Sequence, residues 1–183
     1  MPLTAAQRTI LRTDVQADVA LNALPHNSDS LQIIIDAYSL DASPVFWVWR
    51  TSVSKMEYVN STSVDGTVFS YVGTGFITRS AGEQAAWRDM FDNAGNVVNP
   101  SLPQVRQAFL DIFSGAVAPA PANRAHLATM SRRRASRLEK LFVVASSGPG
   151  TGTGALGATG NPGALVVEGV LSYSDADQMW TMS

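Results

Sequence analysis

The sequence predicts a mainly α fold, a small helical bundle that ends in a glycine-rich arm. Capping boxes stand at Thr4–Gln7, Ser54–Glu57 and Ser80–Glu83, where a hydroxyl and a Gln or Glu side chain reciprocally satisfy the first orphan amides of a helix. Apolar residues follow the first and third boxes at helical spacing. Residues 146–163 hold 7 of the chain's 14 Gly, with Pro149 and Pro162, a composition that makes neither a helix nor a packed layer by itself.

In chain order, Ile10, Leu11, Val15, Val19, Leu21 and Leu24 recur until Pro25 stops the run, which predicts one long helix or two with a break near Asp14 to Asp18. Leu31, Ile34, Ile35 and Tyr38 predict a second amphipathic helix over residues 29–40. Ser43-Pro44 reads as a cap with proline at the first helical position, so the apolar run Val45-Phe46-Trp47-Val48-Trp49 is expected as a buried helix, although a buried strand fits that run equally well. Asp65-Gly66 is a hairpin turn signal, and Thr67-Val68-Phe69-Ser70-Tyr71-Val72 is rich in β-branched and aromatic residues, which predicts a short β-hairpin within about residues 59–78. Trp87, Met90 and Phe91 sit on the helix opened by Ser80. Residues 93–103 read as a loop, and Val105, Phe109, Ile112 and Phe113 mark a helix over 102–113. Beyond a Pro-Ala linker the longest expected helix runs from about Asn123 to Val143. The division expected is a helical core over 1–145 and an arm over 146–183, the arm carrying a strand at Ala164–Leu171 and a short helix ending at Trp180.

The chain has 183 residues, 45% of them hydrophobic and 15% charged, with no Cys and two His. It has enough apolar residues for a real core and too few charges for pervasive disorder. The lack of Cys excludes a disulfide scaffold, a thiolate zinc site and a cysteine nucleophile. Residues 1–14 hold no apolar run of signal-peptide length, and no stretch approaches a membrane span, so neither secretion through a cleaved signal nor membrane insertion is expected. His26 and His126 are isolated and read as capping or packing residues. Gly152-Thr153-Gly154-Ala155-Leu156-Gly157 matches a dinucleotide-binding motif by letter, but Gly160, Pro162 and Gly163 leave no room for the helix that would face a pyrophosphate. Asp89 and Asp92 share a helix face and read as solvated charge. No catalytic residues, metal or cofactor are expected.

Charge is distributed unevenly. Residues 1–123 hold 7 basic and 11 acidic residues, residues 124–142 hold 6 and 1, and residues 143–183 hold three acids and no base. On the expected 123–143 helix, Leu127, Met130, Leu138, Leu141 and Phe142 form an apolar stripe, with Arg133, Arg137 and Lys140 on the neighbouring face. Arg134 falls within the stripe and needs a carboxylate from this chain or a partner. Three explanations stand for Arg132, Arg133, Arg134, Arg137 and Lys140: a solvated edge, a subunit interface against an acidic neighbour, or contact with nucleic acid. The arm, with Val166, Val167, Leu171 and Trp180 at its apolar end, either returns to its own core or packs on a neighbouring subunit.

Three segments carry a resemblance: Leu3-Thr4-Ala5-Ala6-Gln7-Arg8; Ala42-Ser43-Pro44-Val45-Phe46-Trp47-Val48-Trp49-Arg50-Thr51; and Arg133-Arg134-Ala135-Ser136-Arg137-Leu138-Glu139-Lys140-Leu141-Phe142, with Glu168-Gly169 after the glycine arm. In order along the chain they resemble small structural proteins of tailed-bacteriophage virions, of the head-to-tail connector or adaptor type. The resemblance implies a non-enzymatic, mainly helical subunit in a homo-oligomeric ring of about a dozen copies. Its partners would be the portal protein and tail or nozzle proteins, with non-specific contact to packaged DNA and none to membrane. It would sit in the virion neck, after assembly in the host cytoplasm. Residues 59–78 depart from that pattern. The alternatives are a capsid decoration or another tail or neck component, and a nucleic-acid-binding module that uses residues 132–140.

Overall fold

The computed structural model describes residues 2–71, 76–116, 119–152 and 154–181. Among them the elements are, in order, α1 (Ala5–Ala17), α2 (Val19–Asn22), α3 (Ser28–Ser39), β1 (Trp47–Trp49), β2 (Val53–Ser54), α4 (Lys55–Asn60), a 3-10 turn (Phe76–Thr78), α5 (Ala81–Asp92) and β3 (Val97–Val98). There follow α6 (Pro103–Ile112), α7 (Ala120–Met130), β4 (Arg132–Arg134), α8 (Arg137–Leu141), β5 (Val143–Val144), β6 (Ala164–Leu165) and α9 (Tyr173–Thr181). The fold is mainly α, and its strands form two-stranded sheets only: β1 with β4, β2 with β3, and β5 with β6. No helix among the described residues is long and apolar enough to cross a membrane.

The chain forms two compact units: Met1–Phe46 with Arg134–Val144 and Gly163–Ser183, and Trp47–Arg133 with Ala145–Pro162. This differs from a 1–145 core with a separate arm. Residues 146–162 fold within the second unit, whereas Gly163 onward completes the first.

In the first unit, all of the expected N-terminal signals operate. Thr4 Oγ1 accepts from Gln7 N at 3.2 Å while Gln7 Oε1 accepts from Thr4 N at 2.8 Å. Asp18 makes the break: its N–H donates to the Asp14 and Val15 carbonyls that end α1, and its carboxylate accepts from Ala20 N and Leu21 N to start α2. Leu11, Val15, Leu31, Ile34 and Tyr38 from α1 and α3 pack with Leu138, Leu171, Ala176 and Met179. Each large apolar side chain so buried contributes about 1.5–3 kcal/mol. The C-terminal segment is therefore part of a core. Ser172 Oγ caps α9 by accepting from Asp175 N, and Asp175 Oδ1 accepts from Leu3 N at 3.0 Å, so α9 is fastened to the start of α1.

The second unit has an aromatic core of Tyr58, Phe69, Trp87, Phe91, Phe109 and Phe113. Trp87 lies 4.8 Å from Phe91 and 5.6 Å from Phe113 between ring centroids, both edge-on, the arrangement that the ring quadrupoles favour. The expected boxes at Ser54 and Ser80 both form, opening α4 and α5.

The strand expected over Ala164–Leu171 is confined to Ala164–Leu165, because the chain then bends and Val167 and Leu171 pack into the first unit's core. Four further sequence expectations are corrected. The 45–49 run is a strand over Trp47–Trp49, not a helix, after a cis Ser43–Pro44 bond. Its β-branched and aromatic side chains suit a pleated, buried surface, and Trp47 N donates to Gly157 O at 2.7 Å. The 123–143 helix is broken into α7, β4 and α8. Continuing it would bring Arg133 and Arg137 into like-charged i, i+4 contact, whereas a strand sends neighbouring arginines to opposite faces; Ser136 and Glu139 then form a fresh capping box that restarts the helix. The 93–103 loop contains β3, which pairs antiparallel with β2. The Asp65-Gly66 turn forms, with Ser63 N donating to Thr67 O at 2.9 Å, but the described residues after it make no strand. Asn123 supplies both the acceptor for Ser70 N and the donor for Ser70 O, replacing a hairpin partner. Residues 72–75 of the expected hairpin lie outside the described residues.

Candidate functional site

Polar chemistry concentrates at two places, one in each unit. In the first unit a cleft of about 640 Å³ lies among α1, α3 and α8, with Asp14, Asp18, Leu40, Asp41, Arg137 and Lys140 on its walls. Arg137 organises it. Its Nη2 donates to Asp14 Oδ2 and its Nη1 to Asp18 Oδ2, both at 2.8 Å, and its guanidinium lies 4.5 Å from the centroid of the Tyr38 ring. Tyr38 Oη donates to the same Asp14 Oδ2.

This arrangement holds Asp18, Tyr38 and Arg137 each in one charge state. The hydrogen bond from Arg137 keeps the Asp18 carboxyl below its usual range. Burial, reinforced by the Asp14 carboxylate, pushes the Tyr38 phenol up. For Arg137, burial works against the charge, but the hydrogen bonds to Asp18 and Asp14 outweigh it and the net shift is upward. A group locked into one protonation state is a structural tie and a poor proton carrier.

In the second unit Arg106 is 4% exposed and donates to an unusual set of acceptors. Its Nε reaches Pro149 O at 2.6 Å, its Nη1 reaches Pro100 O at 2.6 Å and Ser101 O at 2.9 Å, and its Nη2 reaches Ser146 Oγ and Ser147 O. Its guanidinium stacks 4.3 Å over Trp49. No carboxylate takes part, and burial draws its pKa down. Two glycines make the approach feasible. A Cβ on Gly148 would come within 2.8 Å of Pro103 Cβ, and one on Gly150 within 2.7 Å of the Trp49 ring, both residues having positive φ. The glycine segment with the dinucleotide-like spacing is therefore a loop pinned from inside, and its Ala158–Asn161 turn follows where a helix would be needed.

Of the interface residues expected from sequence, Arg137 and Arg134 meet carboxylates of this chain, Arg134 facing Asp41 at 3.5 Å on the surface and not within an apolar seam. Lys140 donates to Ser43 O. Arg132 donates to Thr159 O at 2.6 Å and lies 5.7 Å over Trp47, while Arg133 is half-buried on β4. Val167 and Leu171 are buried in the first core, Trp180 packs against it, and Val166 is exposed. The arm's apolar end has thus met its own chain, which removes Val167 and Leu171 from a free docking face.

Both histidines serve as ties between distant parts of the chain. His126 is fully buried, with Nε2 2.7 Å from Tyr58 O and Nδ1 3.1 Å from Thr67 O. His26 stacks on Trp180 at 5.1 Å and meets Asp177 at 3.2 Å. Among the described residues there is no cluster of three His, Cys, Asp or Glu able to hold a metal ion.

Sequence reasoning passed over Arg106, Trp49, Asp175 and the Asp14–Tyr38 pair. Arg106 was detectable, because it stands three residues before Phe109 and seven before Phe113, on the stripe that the helix buries. Comparison with protein families, with curated proteins and with solved structures gives no match.

Proposed function

We propose that this chain is a structural subunit of a tailed-phage virion, a head-to-tail adaptor that forms a ring joining the portal to the tail. The reading begins from the resemblance of the residues 3–8, 42–51 and 133–142 and is carried by one observation: charge is divided between the two units. The first unit holds five Lys and Arg against nine Asp and Glu, a formal −4, and the second holds eight against six, a formal +2. Opposite net charges on two units of one chain favour contacts between unlike units of neighbouring copies, and such head-to-tail contacts generate rings where the rotation closes. Structural work also suits the polar groups, since Arg137, Arg106, Asp175 and His126 each hold separate segments together. A nucleic-acid-binding role draws less support because Arg132 and Arg137 are already engaged within the chain.

The test is sedimentation velocity and negative-stain imaging of the purified chain, alone and with the portal protein encoded in the same genome. Rings of about a dozen copies, seated on the portal, are expected. A chain that stays monomeric at about 100 μM and leaves the portal bare would refute the reading.

A further inference from the structure

The second unit has a small apolar cavity of about 110 Å³, walled by Trp49, Phe109, Leu110 and Ala128 with Arg106 and Arg124 beside them, and none of its lining residues is acidic. A cavity of about 150 Å³ accepts benzene, so this one is scaled to a branched four-carbon side chain. Trp49 is 1% exposed and supplies an aromatic wall to the cavity. Leu110, 39% exposed, extends the apolar rim.

The first unit carries a matching feature. The outer face of α3 presents Asp29, Ile33, Asp36 and Leu40, at helical spacing and all exposed. Leu40 is 67% exposed, stands at the C-cap and is followed by exposed Asp41. The last turn of α3 contains no basic residue, so the negative end of the helix dipole adds to Asp36 and to Asp41, which also faces Arg134 at 3.5 Å, beside one aliphatic side chain.

We propose that Leu40 of one copy of this chain enters the Trp49 cavity of a second copy, with Asp36 and Asp41 facing Arg124 at the cavity's edge. This interface rests on the ring reading above and gives that ring its repeating contact. The partner is a second copy because the complementary pieces lie on opposite-charged units of the same chain, and because Leu40 joins size, exposure and flanking carboxylates.

Two variants test it, each altering one side. Leu40→Arg changes an exposed residue, and Ala128→Leu fills the cavity without touching a polar group; circular dichroism confirms that both fold. Each alone should weaken self-association by about 30-fold or more, as loss of a central anchor does. Mixed together, each retains the side that the other lacks, so they should form a one-to-one dimer and nothing larger. In that mixture the Trp49 indole N–H resonance of Leu40→Arg should shift. Wild-type assembly by either variant, or an unmoved Trp49 resonance, overturns the Leu40 contact while leaving the ring reading in place. A wild-type chain that never self-associates, with or without portal, overturns both.

Discussion

Replacing Arg106 by Ala removes five hydrogen bonds and one stacked cation from a site that is 4% exposed. Hydrogen bonds from a charged donor contribute about 1.5–3 kcal/mol each, net of solvation. Against them stands the cost of burying a guanidinium with no carboxylate, several kcal/mol. The lost side chain also leaves a void and an unstacked Trp49, about 2 kcal/mol and 1 kcal/mol. Water reaches part of the freed carbonyls once the loop opens, so the net loss should be about 2–4 kcal/mol, a drop of about 1–2 M in the urea midpoint. Tryptophan fluorescence during urea unfolding measures the loss, and limited proteolysis across residues 146–152 measures the loop. Arg106→Met, which keeps an apolar stem, should recover packing but leave the loop cleavable. Arg106→Lys should recover little, since an ammonium cannot present a planar fork to carbonyls on two sides. An Ala variant within about 0.5 kcal/mol of wild type, with a loop no easier to cut, would show that the loop is held by something else.

Arg137→Glu places a third carboxylate against Asp14 and Asp18 and should destabilise the first unit by about 2–4 kcal/mol, read from thermal unfolding; an unchanged melting temperature would mean that the triad is solvent-compensated. Asp175→Asn weakens the tie to Leu3 N and Arg8 and should cost about 1–3 kcal/mol, with hydrogen exchange rising first in α9; uniform exchange would contradict the local effect. The lowered pKa values of Asp18, Glu57, Glu83 and Asp65, caused by hydrogen bonds from Arg137, Ser54, Ser80 and Ser63 respectively, set the acid response. Their stabilisation is present above the unfolded carboxyl values of about 4 and is lost as pH falls through the lower folded values, so urea midpoints should be flat near neutrality and decline below about pH 4.

Where a residue's local chemistry and its tertiary setting agreed, the sequence was legible. Thr4, Ser54 and Ser80 each stood three residues before a Gln or Glu, and each capped a helix. Where one segment could satisfy two patterns, the choice lay in distant residues. Val45 to Trp49 fits a helix or a strand, and the choice is made by distant carbonyls: Gly157 O accepts from Trp47 N, and Ser131 O accepts from Arg50 N just after the run. Leu127 to Phe142 keeps an apolar period across Ser131, so the break was invisible until Arg132 to Arg134 found a strand to pair with. The candidate sites were harder still. Arg137 was marked as an interface cation, yet its carboxylates stand more than a hundred residues earlier, at Asp14 and Asp18, and nothing in their local spacing joins them to it.

The first unit is drawn from three separated stretches, and its core closes only when Leu171, Ala176 and Met179 reach Leu11, Val15 and Leu31. During synthesis the second unit can therefore fold from a nearly contiguous stretch while α1 to α3 wait, with the apolar faces that later meet Leu171, Ala176 and Met179 uncovered. Copies interrupted before α9 would carry that bare surface and attract chaperones and proteases. The strap thus makes the order of the N-terminal helices depend on distant chain: α1 and α3 gain a closed core only once Leu171, Ala176 and Met179 have been made and have docked on them.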